Sequence, residues 1–190
     1  TARATMWQLG IQKSHFLGVG ANKGLLNLSG VTTDTSLLPV AVEAMTEAQI
    51  KAFAGTALAT FFSNAKGSVL PNRWLMPTSS FMALGIPYGT TSTAGYATLR
   101  DVIENAFKAA GAPSDFKIVH SVYNDNKVAA GRGLHALYNT QDVVMYIPKT
   151  YTPHPLYAAG ALDMISDAEG QFTGVQVKRP NAFLYMAEQA

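Results

Sequence analysis

Gly18, Gly20 and Gly24, in "GVGANKGLLN", have the look of a phosphate-cradling loop. A dinucleotide turn needs G-x-G-x-x-G between a strand and a helix, so that backbone N–H groups can reach a pyrophosphate. Here the third glycine comes one position late, the run follows a helical pattern, and no helix opens after it. The segment therefore reads as a structural turn. "SNAK", Ser63 to Lys66, has the S-x-x-K spacing of serine acyl-enzymes, which present the serine at the start of a helix and add a K-T-G strand. Ser63 instead closes a helical pattern and no K-T-G exists, so Lys66 is expected to interact with the last carbonyls of that helix.

The four histidines, His15, His120, His135 and His154, share no i, i+3 or i+4 spacing, and a metal site would have to be assembled from distant pieces. They read as partly buried structural imidazoles. Asp101 with Glu104, Asp163 with Asp167, and Asp125 could supply carboxylates for acid–base work, yet they fall at a helix cap or in polar turns. "YTPHPLY" places Tyr151, His154 and Tyr157 around two prolines, which suits either a ligand groove or an extended connector packing its rings on a neighbour.

The elements that must position these residues are clearer than the sites. "TARATMWQLGIQKSHFLG" reads as the tail of a helix, with Met6, Leu9, Lys13 and Phe16 at helical spacing and an upstream piece expected before Thr1. Thr46 and Gln49 form a capping box, followed by a stripe of Ile50, Phe53, Ala54, Ala57, Leu58, Phe61 and Phe62 up to Gly67. Burying its Ile, Leu and Phe side chains contributes on the order of 10 kcal/mol before entropy is counted. A short strand is expected over Arg73 to Met76, then one or two helical turns capped by Thr78 or Ser79. "IPYGTTSTAGY" reads as an exposed loop. A second capping box, Thr98 with Asp101, opens a helix whose inner face carries Leu99, Val102, Ile103, Ala106, Phe107 and Ala110 and which Gly111 ends. Strands are expected at 116 to 122, 134 to 138, 143 to 147 and 173 to 178, and "AFLYMA" is a closing strand or a short helix. Helices first and strands in succession make an α+β order, and no repeat of 20 to 50 residues is present.

The 190 residues suffice for one domain with a substantial core. Charged residues are only 14% against 48% hydrophobic, a balance that favours a surface covered by neighbours over one bathed in water, with a large monomeric core as the alternative. Net charge is a mild +2 with Lys and Arg scattered, so no dedicated nucleic-acid reader is indicated. Cysteine is absent, which removes disulfides, thiolate zinc sites and cysteine nucleophiles. No apolar run approaches the ~20 residues of a membrane span, and a soluble protein is expected.

The order of "FLGVGANKGLLNLSGV", the capped helix ending in "GSVLPNRWLMPTSSFMALG", the helix from Thr98, "FKIVHSV", "GLHALYNTQDVVMYIP" and "GVQVKRPNAFLYM" resembles the major capsid proteins of tailed phages. Their shared architecture is the Hong Kong 97-like fold. The resemblance implies the axial domain plus part of the peripheral domain, with the N-terminal arm, extended loop and most of the spine helix upstream of Thr1. It divides the chain into 1–28 (end of the spine helix and turn), 29–147 (mainly axial) and 148–190 (return strands of the peripheral domain and closing strand). Gly24, Leu25, Leu26 and Asn27 would form the turn leaving the spine helix.

The function it implies is a structural coat protein, not an enzyme, that self-assembles into pentamers and hexamers of an icosahedral phage or prophage shell around double-stranded DNA. No catalytic residue, cofactor or metal is carried over. Expected partners are further copies of the chain, packaged DNA through weak non-specific contact, and scaffolding or portal proteins, with no membrane. The protein is expected in the virion, and in the host cytoplasm during assembly. The loops "IPYGTTSTAGY" and "YNDNKVAAGRG" are expected at the axial contacts, with Arg100, Lys127 and Arg132 as inter-subunit charge partners. An encapsulin-like nanocompartment shell is the nearest alternative, followed by a hydrolase using Ser63 and Lys66 and by a small-ligand binding module lined by Tyr151, His154 and Tyr157.

Overall fold

The computed structural model describes residues 2–31, 33–38, 40–88, 97–125, 128, 133–160 and 163–188, with only the backbone of Met164 and Glu188. In chain order the longer elements are α1 (Ala2–Leu17), β1 (Thr33–Leu38), α2 (Glu47–Asn64), β2 (Arg73–Met76), α3 (Thr78–Ala83), α4 (Leu99–Ala109), β3 (Lys117–His120), β4 (Leu134–Tyr138), β5 (Lys149–Pro153), β6 (Ala168–Gln171) and β7 (Phe183–Glu188). No described helix is long and apolar enough to cross a membrane. The chain forms two compact units, Thr1–Asn27 with Val144–Gln176, and Leu28–Val143 with Val177–Ala190.

The larger unit is built on a five-stranded mixed sheet in the order β1-β7-β4-β2-β3. β7 runs parallel to β1 and antiparallel to β4, and β2 runs antiparallel to β4 and parallel to β3. "AFLYMA" is thus a strand, seated inside the sheet between two partners. α2 packs against α4, β7 and β1. Both expected capping boxes form: Thr46 Oγ1 accepts from Gln49 N while Gln49 Oε1 accepts from Thr46 N at 2.8 Å, and Thr98 and Asp101 repeat the pattern. Each box satisfies two N–H groups that the first helical turn leaves orphaned.

The α2 stripe is buried from Ile50 to Phe61, but Phe62 is exposed. On α4, Leu99, Ile103 and Phe107 are buried, Val102 and Ala106 are half-buried, and Ala110 is exposed. The core centres on fully buried Trp74 of β2, whose ring lies 5.2 Å from Phe53 and 5.5 Å from Phe107. Phe107 stacks on Phe116 at 4.6 Å. Such aromatic pairs add about 1 kcal/mol each beyond the area they bury.

Several sequence expectations are corrected. α3 starts after Pro77 without a side-chain cap of its own from Thr78 or Ser79. The Thr78 N–H donates instead to Asp125 Oδ1 at 2.8 Å, from a loop 47 residues away. The strands expected at 143 to 147 and 173 to 178 shrink to Val143–Val144 and Gln176–Val177, and Tyr146 and Ile147 are exposed. β1 was absent from the expectations, and β5 and β6 lie where return strands were expected within 148–190 without bounds of their own. α1 forms as expected, and its stripe is largely uncovered within the chain: Met6 and Leu9 are exposed and only Ser14 of the helix is buried.

The smaller unit contains α1 and the antiparallel pair β5/β6, with short pairs Gly18–Val19 on Asn22–Lys23 and Tyr157–Ala158 on Met164–Ile165. Trp7 of α1 packs edge-on against Phe172 at 5.4 Å and lies 6.1 Å from Tyr151. Among its described residues only Leu25 and Leu26 are large hydrophobic side chains that are buried.

Candidate functional site

The turn Gly24 to Asn27 closes the C-terminal end of α1. A helix leaves its last carbonyls without intrahelical donors. Here Leu25 N donates to His15 O at 2.8 Å, Leu26 N to Phe16 O at 3.0 Å, and Asn27 Nδ2 to Leu17 O at 3.0 Å. Three consecutive orphan carbonyls are thereby satisfied by three consecutive residues of the turn. Asn27 Oδ1 accepts from Gly24 N at 2.6 Å, fixing the turn from its other side. Leu25 and Leu26 are 0% and 4% exposed, so the same residues that cap the helix also bury apolar surface.

This approach requires glycine twice. A Cβ on Gly24 would stand 2.4 Å from Gly18 N and 2.5 Å from Phe16 O, all rigid backbone. Gly18 has φ +78 and its Cβ would meet Asn22 O at 2.0 Å. The glycines bring backbone against backbone and hold no free N–H cradle: the N–H groups of Gly24, Leu25 and Leu26 are all committed.

The other sequence candidates are dispersed. Ser63 and Lys66 are both exposed at the end of α2, and among the described residues the Lys66 ammonium has no hydrogen bond to the helix carbonyls expected to receive it. Lys66 adopts φ +51 and Gly67 φ +71, which turn the chain away from the helix. His135 is fully buried with its ring 5.8 Å from Trp74, and His120 is exposed and stacked on Phe81 at 4.5 Å. His15 lies against Phe16, and burial pushes its imidazole pKa below the usual range. His154 sits 3.6 Å from Glu169 Oε1, a carboxylate that also pairs with Lys149.

The carboxylates are similarly occupied. Asp101 caps α4, and its hydrogen bonds from Thr98 hold it below the usual aspartate range. Glu104 accepts from Arg100 and from Ile118 N at 3.1 Å, and Asp167 accepts from Tyr157 OH at 2.8 Å. Tyr151 lines a cavity of about 590 Å³ with Trp7 and Met6, but His154 and Tyr157 do not, so the three residues share no groove. Among the described residues no group of three or more His, Cys, Asp or Glu is placed to hold a metal ion.

Arg100 is tied within the chain, with Nε 3.0 Å from Glu104 Oε1 and its guanidinium 5.3 Å above the Phe81 ring. Lys127 and Arg132 lie outside the described residues, as does most of "IPYGTTSTAGY". What sequence reasoning missed is a surface: the smaller unit exposes Met6, Leu9, Val19, Leu156, Tyr157 and Ile165, with Met6 and Leu156 at 69%. The low charge had pointed to a covered surface, but nothing in the sequence said that the α1 stripe belongs to it.

The solved structure "The capsid of Myoviridae Phage XM1" superposes on 99% of this chain and 63% of that one, with TM-score 0.76 and 13% identity. "Crystal structure of virus-like particle from Pyrococcus furiosus" matches 84% of this chain and 57% of that one, with TM-score 0.50 and 14% identity. The fold is therefore the phage capsid fold, and the chain spans about three fifths of the length of the structures it matches. The family model "Major capsid protein" matches residues 6–188, and the chain belongs to that family. No curated protein matches it.

Proposed function

We propose that the chain is the structural subunit of an icosahedral phage or prophage shell, assembling as pentamers and hexamers around double-stranded DNA. The observation that carries this reading is a phage-capsid superposition running over 99% of the chain. In this reading the larger unit is the axial domain and the smaller one belongs to the peripheral domain, with α1 as spine helix and Gly24 to Asn27 as its exit. Assembly, not turnover, is the activity. The apolar residues left uncovered on the smaller unit supply the contact surface, because association buries such groups at about 25 cal/mol per Å². Arg100, Lys127 and Arg132 are the charge partners across subunits, Arg100 through the part of its guanidinium that Glu104 leaves exposed. Scaffolding and portal proteins are further partners, and the site of assembly is the host cytoplasm.

A second reading, a nanocompartment shell enclosing protein cargo, is favoured by the match to a virus-like particle at TM-score 0.50. The two are separated by treating purified particles with nuclease and extracting their contents. Nuclease-protected double-stranded DNA supports the phage shell, and a stoichiometric internal protein with no DNA replaces it with the nanocompartment.

A further inference from the structure

Where α2 ends, the larger unit has a cavity of about 420 Å³ lined by Lys66, Ser68, Lys178, Arg179, Asn64 and Asn181. An adjoining cavity of about 160 Å³ shares Asn64, Pro180 and Asn181, so the two form one groove in which the amide, hydroxyl and cationic groups stand on an apolar floor that includes Ala65, Val31 and Ala182. We infer that this groove binds the phosphodiester backbone of nucleic acid. The inference rests on the shell reading only in naming DNA as the polyanion at hand.

The cations come from segments more than 110 residues apart that the fold brings together, and no acidic residue lines either cavity. Lys66 and Lys178 have no ion-pair partner among the described residues. Lys66 is also the one described non-glycine residue at positive φ, a position that glycine or asparagine fills without strain. Arg179 is held by Nε on buried Asp142 Oδ1 at 2.7 Å, which fixes its guanidinium and leaves the terminal N–H groups for a ligand. One carboxylate against three cations leaves the site with a surplus of positive charge.

A second copy of the chain would have to offer this groove a carboxylate that is already paired within that copy, or else Glu43 or Asp163. Of the eleven acidic side chains described, nine already accept a hydrogen bond or ion pair within the chain, leaving Glu43 and Asp163. Phosphate oxygens are the natural complement of Lys and Arg heads with Asn and Ser donors. No exposed aromatic ring lines the groove for base stacking, so the contact is to the backbone and independent of sequence.

The test is fluorescence anisotropy of two unrelated labelled duplexes of about 20 base pairs with unassembled subunits, over a salt series. The double variant Lys66→Gln/Lys178→Gln should weaken both duplexes equally, by roughly tenfold, and lower the slope of log K against log salt by about two. Lys108→Gln, a half-buried lysine on α4 that lines neither cavity, should leave both quantities unchanged, and Lys66→Arg/Lys178→Arg should retain binding. Wild-type affinity and slope in the Gln variant overturn the inference, as does a loss no larger than that of Lys108→Gln. Polyglutamate competing as well as DNA also overturns it, in favour of an acidic protein segment. Because binding is read on unassembled subunits, failure here leaves the shell reading, read by particle mass, untouched.

Discussion

Asn27 spends both ends of its amide on one turn, accepting from Gly24 N and donating to Leu17 O. Asn27→Ala should cost about 2 kcal/mol, read as a lower urea midpoint, because the two groups left behind lose partners while half-buried. Gly24→Ala should cost more, about 3 kcal/mol, since its Cβ has only backbone to push against. Tyr185 shows the same logic in titration. Its hydroxyl accepts from Leu28 N, and burial pushes its pKa up to about 12. A raised folded pKa favours the neutral phenol, so the stability it contributes is complete below the ordinary tyrosine value of about 10 and is lost as pH rises toward 12. Alkaline melting should therefore steepen over that window, and Tyr185→Phe should flatten it. That the glycines make no phosphate loop was legible, because the third comes one position late, the run follows a helical pattern and no helix opens after it. The partners of Asn27 were not, because they depend on where the helix stops.

Elements divide by whether their order is local. α2 and α4 were readable almost to the residue, because capping boxes and a 3.6-residue stripe are written in adjacent sequence. Strands are not local. β1, in "TDTSLL", exists because it finds β7, whereas "VVMYI" has the better strand composition and yields two residues. α3 shows a cap supplied from a distance, by Asp125. At this scale Phe107→Ala should cost about 3–5 kcal/mol, since Phe107 is fully buried among Phe53, Trp74 and Phe116. Thr98→Ala should cost about 1 kcal/mol, and both are measured by chemical denaturation of unassembled protein. In acid the Thr98–Asp101 box adds a signature of its own. Because Asp101 is held low in the fold, its contribution is present above the ordinary aspartate pKa and is lost as pH falls through the lowered value.

Across the whole molecule the two units differ in how they are held. The larger has a sheet, three helices and a dense aromatic core, and the smaller, among its described residues, buries only Leu25 and Leu26 of its large hydrophobic side chains. A charged fraction of 14% announced uncovered surface without saying where it lies, since composition carries no coordinates. The pattern fits a subunit whose smaller unit is completed by its neighbours. Met6→Glu with Leu156→Glu should abolish particle formation while leaving the core of the larger unit intact, which near-ultraviolet circular dichroism would report. Self-assembly is the central claim, and its most direct measure is mass by light scattering on protein expressed from its complete reading frame, over a concentration series. The account predicts capsomers of five or six copies, or closed shells. A strictly monomeric mass at every concentration and ionic strength would contradict it.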